Sequence, residues 1–175
     1  MNFKCAAALL FLAAFTGQAH AETIDWHSLP PDADRIEFFG MVRNEVEGDT
    51  VLRVVCVPGG KIQVSVGAYK DIGTGKRGLL SVTLKSGDVS VTLKGKPAES
   101  DNVEMTGASE LRTEPFPISD NRLLALFETK KPITVTGALK ATWTVRGVEK
   151  LARDFAKSCS RGYLIARHYC FRPEP

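Results

Sequence analysis

A chain of 175 residues in which 43% are hydrophobic and 25% are charged has the composition of a globular protein. Its 23 basic and 20 acidic side chains leave a formal net charge of +3, a balance that does not predict a nucleic-acid partner. The first 21 residues have the pattern of a secretory signal peptide, with Lys4, an apolar run at 5–15 too short to cross a bilayer, and Ala19-His20-Ala21 before the cleavage point. We therefore expect a periplasmic or secreted protein without a membrane span.

Removal of the signal peptide (1–21) leaves 154 residues, which is enough for one domain. We expect an N-terminal arm at 22–35, fastened to the domain by Trp26, and a single β-rich domain with a C-terminal helix and edge segment at 36–175.

Strands dominate the first part of this domain. A mostly apolar run at 51–57 predicts one strand, and apolar residues alternate with polar ones at 62–68 and again in a hairpin at 80–84 and 89–93 around Ser86-Gly87-Asp88. Regular short strands of this kind favour a sandwich or a barrel. We expect a mainly β, antiparallel, sandwich-like domain.

Two helices are predicted among the later strands. Ser119 or Asp120 can cap a short helix near 120–128, and strands follow at 133–136 and 141–145, where Trp143 shares a face with other core residues. Apolar residues at helical spacing then predict a helix near 148–158. Gly162 is expected to end it, and residues 163–171 to form a last edge strand.

Three cysteines lie beyond the signal peptide, and an exported protein favours one disulfide among them. Cys56 shares a strand face with Leu52 and Val54, whereas Cys159 lies on the apolar stripe of the predicted helix. Both thiols should therefore face the same core, which favours Cys56–Cys159. A local Cys159–Cys170 bond is the rival pairing, because spacing alone does not determine connectivity.

No motif marks a reaction. His27 and His168 have neither hydrolase nor metal-ligand spacing, and the Gly-Thr-Gly-Lys stretch at 73–76 lacks the other residues of a phosphate-binding loop. The acidic residues at 45–49 lack the spacing of a calcium loop. We predict no catalytic residue, no cofactor and no metal site.

The C-terminal segment carries the candidate partner surface, where arginines interleave with aromatic residues. This combination suits another protein of the envelope or the host, or an anionic glycan. The candidate residues are Arg161, Tyr163, Arg167, His168 and Arg172.

One stretch bears a family resemblance. Leu123-Leu124-x-Leu126, then Lys131-Pro132-Ile133-Thr134-Val135, then Thr142-Trp143-Thr144-Val145-x-Gly147-Val148 before the helix that reaches Cys159, resembles the invasion-associated locus B family and the type VI secretion-associated VasI-like family. The early strand ending in Cys56 is also similar to the VasI-like pattern. The resemblance implies a mainly β envelope accessory or host-interaction protein without enzymatic activity. Paired early cysteines of the locus B proteins are missing here, and the tail from Ser160 is additional.

We expect a non-enzymatic binding or accessory protein of the bacterial envelope that acts through a protein-interaction surface. Two alternatives stay open. The protein could inhibit a lysozyme or protease through a rigid loop such as 71–78, or it could be an enzyme whose site the sequence does not mark.

Overall fold

The computed structural model describes residues 21–29, 36–43, 50–68, 72, 78–120 except 100–108, and 122–169; it describes no side chain for residues 68, 120 or 161–169. The predicted signal sequence, apart from Ala21, lies outside these ranges, as do Cys170 and Arg172.

Ten strands and two α-helices make up the described chain. The strands are β1 (Ile24–Ser28), β2 (Glu37–Val42), β3 (Thr50–Val57), β4 (Lys61–Ala68), β5 (Leu80–Ser86), β6 (Val89–Glu99), β7 (Ser109–Thr113), β8 (Phe116–Pro117), β9 (Ile133–Gly137) and β10 (Ala141–Trp143). A short 3₁₀ turn covers Ile118–Asp120, and the helices are α1 (Ala125–Glu128) and α2 (Glu149–Tyr169).

All ten strands belong to one sheet in the order β1-β2-β3-β4-β7-β6-β5-β9-β10, with β8 paired to β4. Every pair of named strands is antiparallel. A parallel bridge between Glu22 and Trp143 brings the two ends of this order together, so the sheet is nearly closed into a barrel. The mainly β, antiparallel prediction is confirmed, and the strands form one curled sheet.

Aromatic side chains fill the part of the barrel where β1 and β2 meet the helices. Trp26 stacks on Phe38 at a centroid distance of 5.5 Å, and Phe127 of α1 meets Trp26 edge-on at 5.1 Å. Phe155 of α2 lies 6.0 Å from Phe38. Packing of this kind holds both helices against the first two strands.

Strand β1 corrects one expectation. Residues 24–28, predicted to belong to an arm, pair with β2 along their whole length. Trp26 does fasten this segment to the domain, since it is only 9% exposed. Two inward apolar residues, Ile24 and Trp26, make too short an alternation to identify a strand from sequence.

The predicted apolar stripe of the last helix is present, because Val148, Ala152, Phe155 and Cys159 are all buried. The predicted edge strand at 163–171 is wrong, since α2 continues through Gly162 to Tyr169. A glycine lowers helix stability without necessarily ending the helix. The predicted cap of the short helix is also wrong: α1 starts after Leu124, with no side-chain cap.

A disulfide joins Cys56 at the end of β3 to Cys159 in α2, with their Cα atoms 5.5 Å apart. This is the pairing that the sequence favoured over Cys159–Cys170. It ties the long helix to the sheet. No helix in the described ranges combines the length and the apolar character needed to cross a membrane.

We predict that Gly40→Ala destabilises the fold by about 1–3 kcal/mol through overpacking. A Cβ at this position would lie 2.7 Å from Cζ3 of Trp26, whose buried ring stacks on Phe38 and meets Phe127 edge-on. Urea denaturation measures the change. Ser81→Ala, at an exposed strand position, is the control and should shift stability by less than about 0.5 kcal/mol; equal effects of the two substitutions would refute the packing argument.

Loss of the disulfide should cost about 4–5 kcal/mol, because the bond closes a loop with a sequence separation of 103 residues. Guanidinium denaturation of Cys56→Ala/Cys159→Ala against the oxidised parent measures this loss. Cys170→Ser is the matched control and should unfold like the parent. A loss in the control as large as that in the double variant would instead support the rival pairing, because the double variant lacks Cys159 as well.

Candidate functional site

The barrel wall opens along one side of β6. This strand pairs with β5 from Val89 to Gly95, but its pairing with β7 covers only Gly95 to Glu99. In the described part of the chain, no strand is in register with the β7-facing edge of residues 89–94. Half of the longest strand in the sheet therefore presents a free edge.

The cause of the opening lies at the end of β7. That strand, which is already paired with β4, stops at Thr113; the chain then stays beside β4 in a register shifted by one residue, where Phe116 pairs with Ile62. Pro115 and Pro117 lie in this stretch, and a proline has no N–H to donate to a ladder. The chain after β7 therefore does not continue along β6.

The register of the β5–β6 hairpin determines which backbone groups face the opening. Ser86 and Val89 flank the two-residue loop and pair with each other, so Val89, Val91 and Leu93 direct their N–H and C=O groups toward β5. The alternate residues Ser90 and Thr92 direct theirs away from β5, into the opening. These are donors and acceptors that another extended chain can use.

The opening forms a groove of about 390 Å³. Residues 90–94 of β6 make one wall, residues 113–116 make the other, and Arg122 stands at the rim. Leu93 is buried, while Val91 and Phe116 are half-buried and give the groove an apolar floor.

Two cations at the groove make no ion pair with any residue that the structure describes. Glu114 pairs with Lys96 at 3.4 Å, with both side chains at least 70% exposed. Lys94 and Arg122 are exposed as well, and neither makes an ion pair with any described residue. The groove therefore has a surplus of positive charge beside free backbone groups.

A second depression, of about 460 Å³, lies over the seam of the barrel. Glu22 N donates to the Thr142 carbonyl at 2.7 Å, and Thr144 N donates to the Glu22 carbonyl at 3.0 Å. The indole Nε1 of Trp26 donates to the Thr144 carbonyl at 2.8 Å. These bonds make the seam part of the barrel wall.

Two charged groups at this seam, Asp25 and Arg43, pair with each other. Arg43 donates through Nη2 to Asp25 at 2.6 Å, and this hydrogen bond, with the attraction of the guanidinium, lowers the pKa of the Asp25 carboxyl. The same pair raises the pKa of Arg43. His27 is exposed and stacks on Phe39 at 5.3 Å. Arg146 also lines this depression, is exposed and makes no ion pair with any described residue.

The buried acids are committed to structural pairs. Glu37 lies 2.8 Å from Arg53, and Glu110 lies 2.5 Å from Arg112 while accepting from Ser65 at 2.9 Å. Among the described residues no three His, Cys, Asp or Glu side chains converge as metal ligands would.

The predicted C-terminal surface is only partly within the described chain. The backbone of residues 161–169, which includes Arg161, Tyr163, Arg167 and His168, belongs to α2, but these side chains lie outside the described residues, as does Arg172 altogether. Of the loop at 71–78 only Ile72 and Gly78 are described.

Sequence reasoning missed the groove. Ser90, Thr92 and Lys94 have the ordinary alternation of a solvated hairpin face, and nothing in that alternation says whether the next strand is present. The available signal was the pair of prolines at 115 and 117, directly after a short strand.

Comparisons with known proteins give no assignment: no protein-family model, no curated protein and no solved structure matches this chain.

Lowering the pH should remove the contribution of the seam ion pair. Because the pKa of Asp25 is lowered in the folded protein, the pair stabilises at pH values above the ordinary carboxyl pKa of 3.8 and stops doing so as the pH falls through the lower, folded value. Denaturation midpoints of the parent and Asp25→Asn should therefore differ at neutral pH, modestly and less at high salt, and converge in acid. Glu99→Gln, an exposed acid elsewhere, is the control; a difference between the parent and Asp25→Asn that persists in acid would contradict the ion-pair explanation.

Proposed function

We propose that this protein is an exported, non-enzymatic binding module that holds an extended segment of another protein along the free edge of β6. The observation that carries the proposal is the unpaired edge at residues 89–94, with the backbone groups of Ser90 and Thr92 directed into a groove. Addition of a strand to an open sheet edge is a common mode of peptide recognition.

Exposed edges invite unwanted pairing, and proteins usually cover, shorten or charge them. Here Lys94 gives the edge a charge, but the groove beside it is bounded by the chain at 113–116 and is open to an incoming segment. A barrel that is otherwise paired along its strands supplies a rigid frame for such an edge. This arrangement favours the binding of a single added strand. It disfavours repeated strand addition that would extend the sheet without limit.

Export is supported by the signal-peptide pattern before Glu22 and by the disulfide, which persists in oxidising compartments. An envelope or host protein is the partner class that this location offers. The likeness to envelope accessory families stays a prediction.

The test is a proline at the edge. Thr92→Pro removes the N–H that faces the groove and fills that space with a ring, while the hydrogen bonds between β5 and β6 use other residues. Thr92→Ala is the matched control: it loses the hydroxyl that contacts Thr83 at 3.0 Å, as the proline variant does, but keeps the N–H. Binding should be abolished by proline and retained with alanine.

The measurement is photo-crosslinking in a native cell-envelope extract and in extracellular fluid, with captured proteins identified by mass spectrometry. The crosslinker is placed at Ser90 on the groove or, as a control, at Lys140 in the β9–β10 turn. A partner crosslinked from Ser90, absent from Lys140 and lost only in Thr92→Pro supports strand addition. Equal capture by the proline and alanine variants overturns it. If capture depends instead on charge reversal at Arg161, Arg167 and Arg172, the C-terminal segment is the binding surface.

A further inference from the structure

The cations beside the groove indicate the charge of the segment that it would bind. Lys94 lies on β6 itself, and its side chain is on the outer face with those of Ser90 and Thr92. Arg122 reaches the rim from the chain that precedes α1. Two exposed cations of one groove without a described counter-ion favour a ligand that supplies negative charge.

An added strand would share the faces of β6. Side chains directly opposite one another on neighbouring strands point to the same face, so alternate residues of the segment would lie beside Ser90, Thr92 and Lys94 outside, and beside Val91 and Leu93 inside. The outer positions are polar and cationic, while the inner positions adjoin the apolar floor that Phe116 completes.

We infer that the segment held by this groove alternates acidic with apolar side chains, its carboxylates bound by Lys94 and Arg122 and its apolar residues packed toward Leu93 and Phe116. This inference rests on the proposed function and adds the chemistry of the partner to it. The acidic side chain of Glu114 also lines the groove, but it pairs with Lys96 and not with Lys94 or Arg122.

A second copy of this chain is a poorer occupant on the same grounds. In two β6 edges placed side by side, the outer residues 90, 92 and 94 of each molecule are Ser, Thr and Lys, so neither copy offers a carboxylate on that face to the cations of the other. The charge of the edge therefore favours a different, acidic chain.

The probes for the test are three pools of short, capped peptides. The alternate outer positions hold only Glu, only Gln or only Lys, and the inner positions are randomised among Val, Leu, Phe and Thr. Fluorescence anisotropy measures binding to the full mature protein at low and high salt. We expect the Glu pool to bind about tenfold more tightly than the Gln pool at low salt, with the preference shrinking at high salt because both cations are exposed.

Variants that remove charge test whether Lys94 and Arg122 cause the preference for the Glu pool. Lys94→Gln/Arg122→Gln should abolish the preference for Glu over Gln and leave binding of the Gln pool in place. Lys85→Gln/Lys140→Gln removes the same charge from exposed positions elsewhere and should keep the preference. Thr92→Pro should abolish binding of every pool.

The outcomes separate this inference from the proposed function. Equal binding of the Glu and Gln pools, or a preference that survives loss of Lys94 and Arg122, refutes acid recognition while the effect of Thr92→Pro still supports strand addition. If no pool binds, acid recognition is refuted, and the crosslinking result of Thr92→Pro alone then decides the proposed function. Self-association that Thr92→Pro abolishes would assign the edge to a second copy and overturn the inference.

Discussion

The packing of Trp26 against the backbone of Gly40 is the constraint on which this barrel depends. Ring atoms of the tryptophan occupy the space that a side chain at residue 40 would need, and the same ring stacks on Phe38 and meets Phe127. Its Nε1 reaches across the seam to Thr144. The Trp26 side chain thus positions β1, α1 and the connection between β10 and α2.

Sequence periodicity predicted the parts of the fold whose burial repeats over several residues. The β5–β6 hairpin alternates without interruption, and the stripe from Val148 to Cys159 covers three turns, so both were evident; the same reasoning placed Cys56 and Cys159 on facing surfaces. Strand β1 and the extension of α2 past Gly162 were not evident, because one has two inward residues and the other crosses a residue that often ends helices.

The groove could not be predicted from the alternation of apolar and polar residues. Alternation tells which face of a strand is buried, but it says nothing about whether a neighbouring strand lies alongside. That fact depends on where β7 stops pairing with β6, at Thr113, while the chain that follows stays beside β4. An open edge of this kind arises from the length of a neighbouring strand more than from the residues on the edge itself, although Lys94 and Arg122 give it a charge that the sequence does show.

The seam of the barrel and the disulfide both join chain segments that are far apart in sequence. The seam pairs Glu22 with Trp143, and the disulfide pairs Cys56 with Cys159. Folding that depends on such contacts is slow, because loop-closure entropy is lost before the distant contacts form. Until residues 142–144 are in place, the segment at 22–28 has β2 on one side only, and its other side is open to other chains.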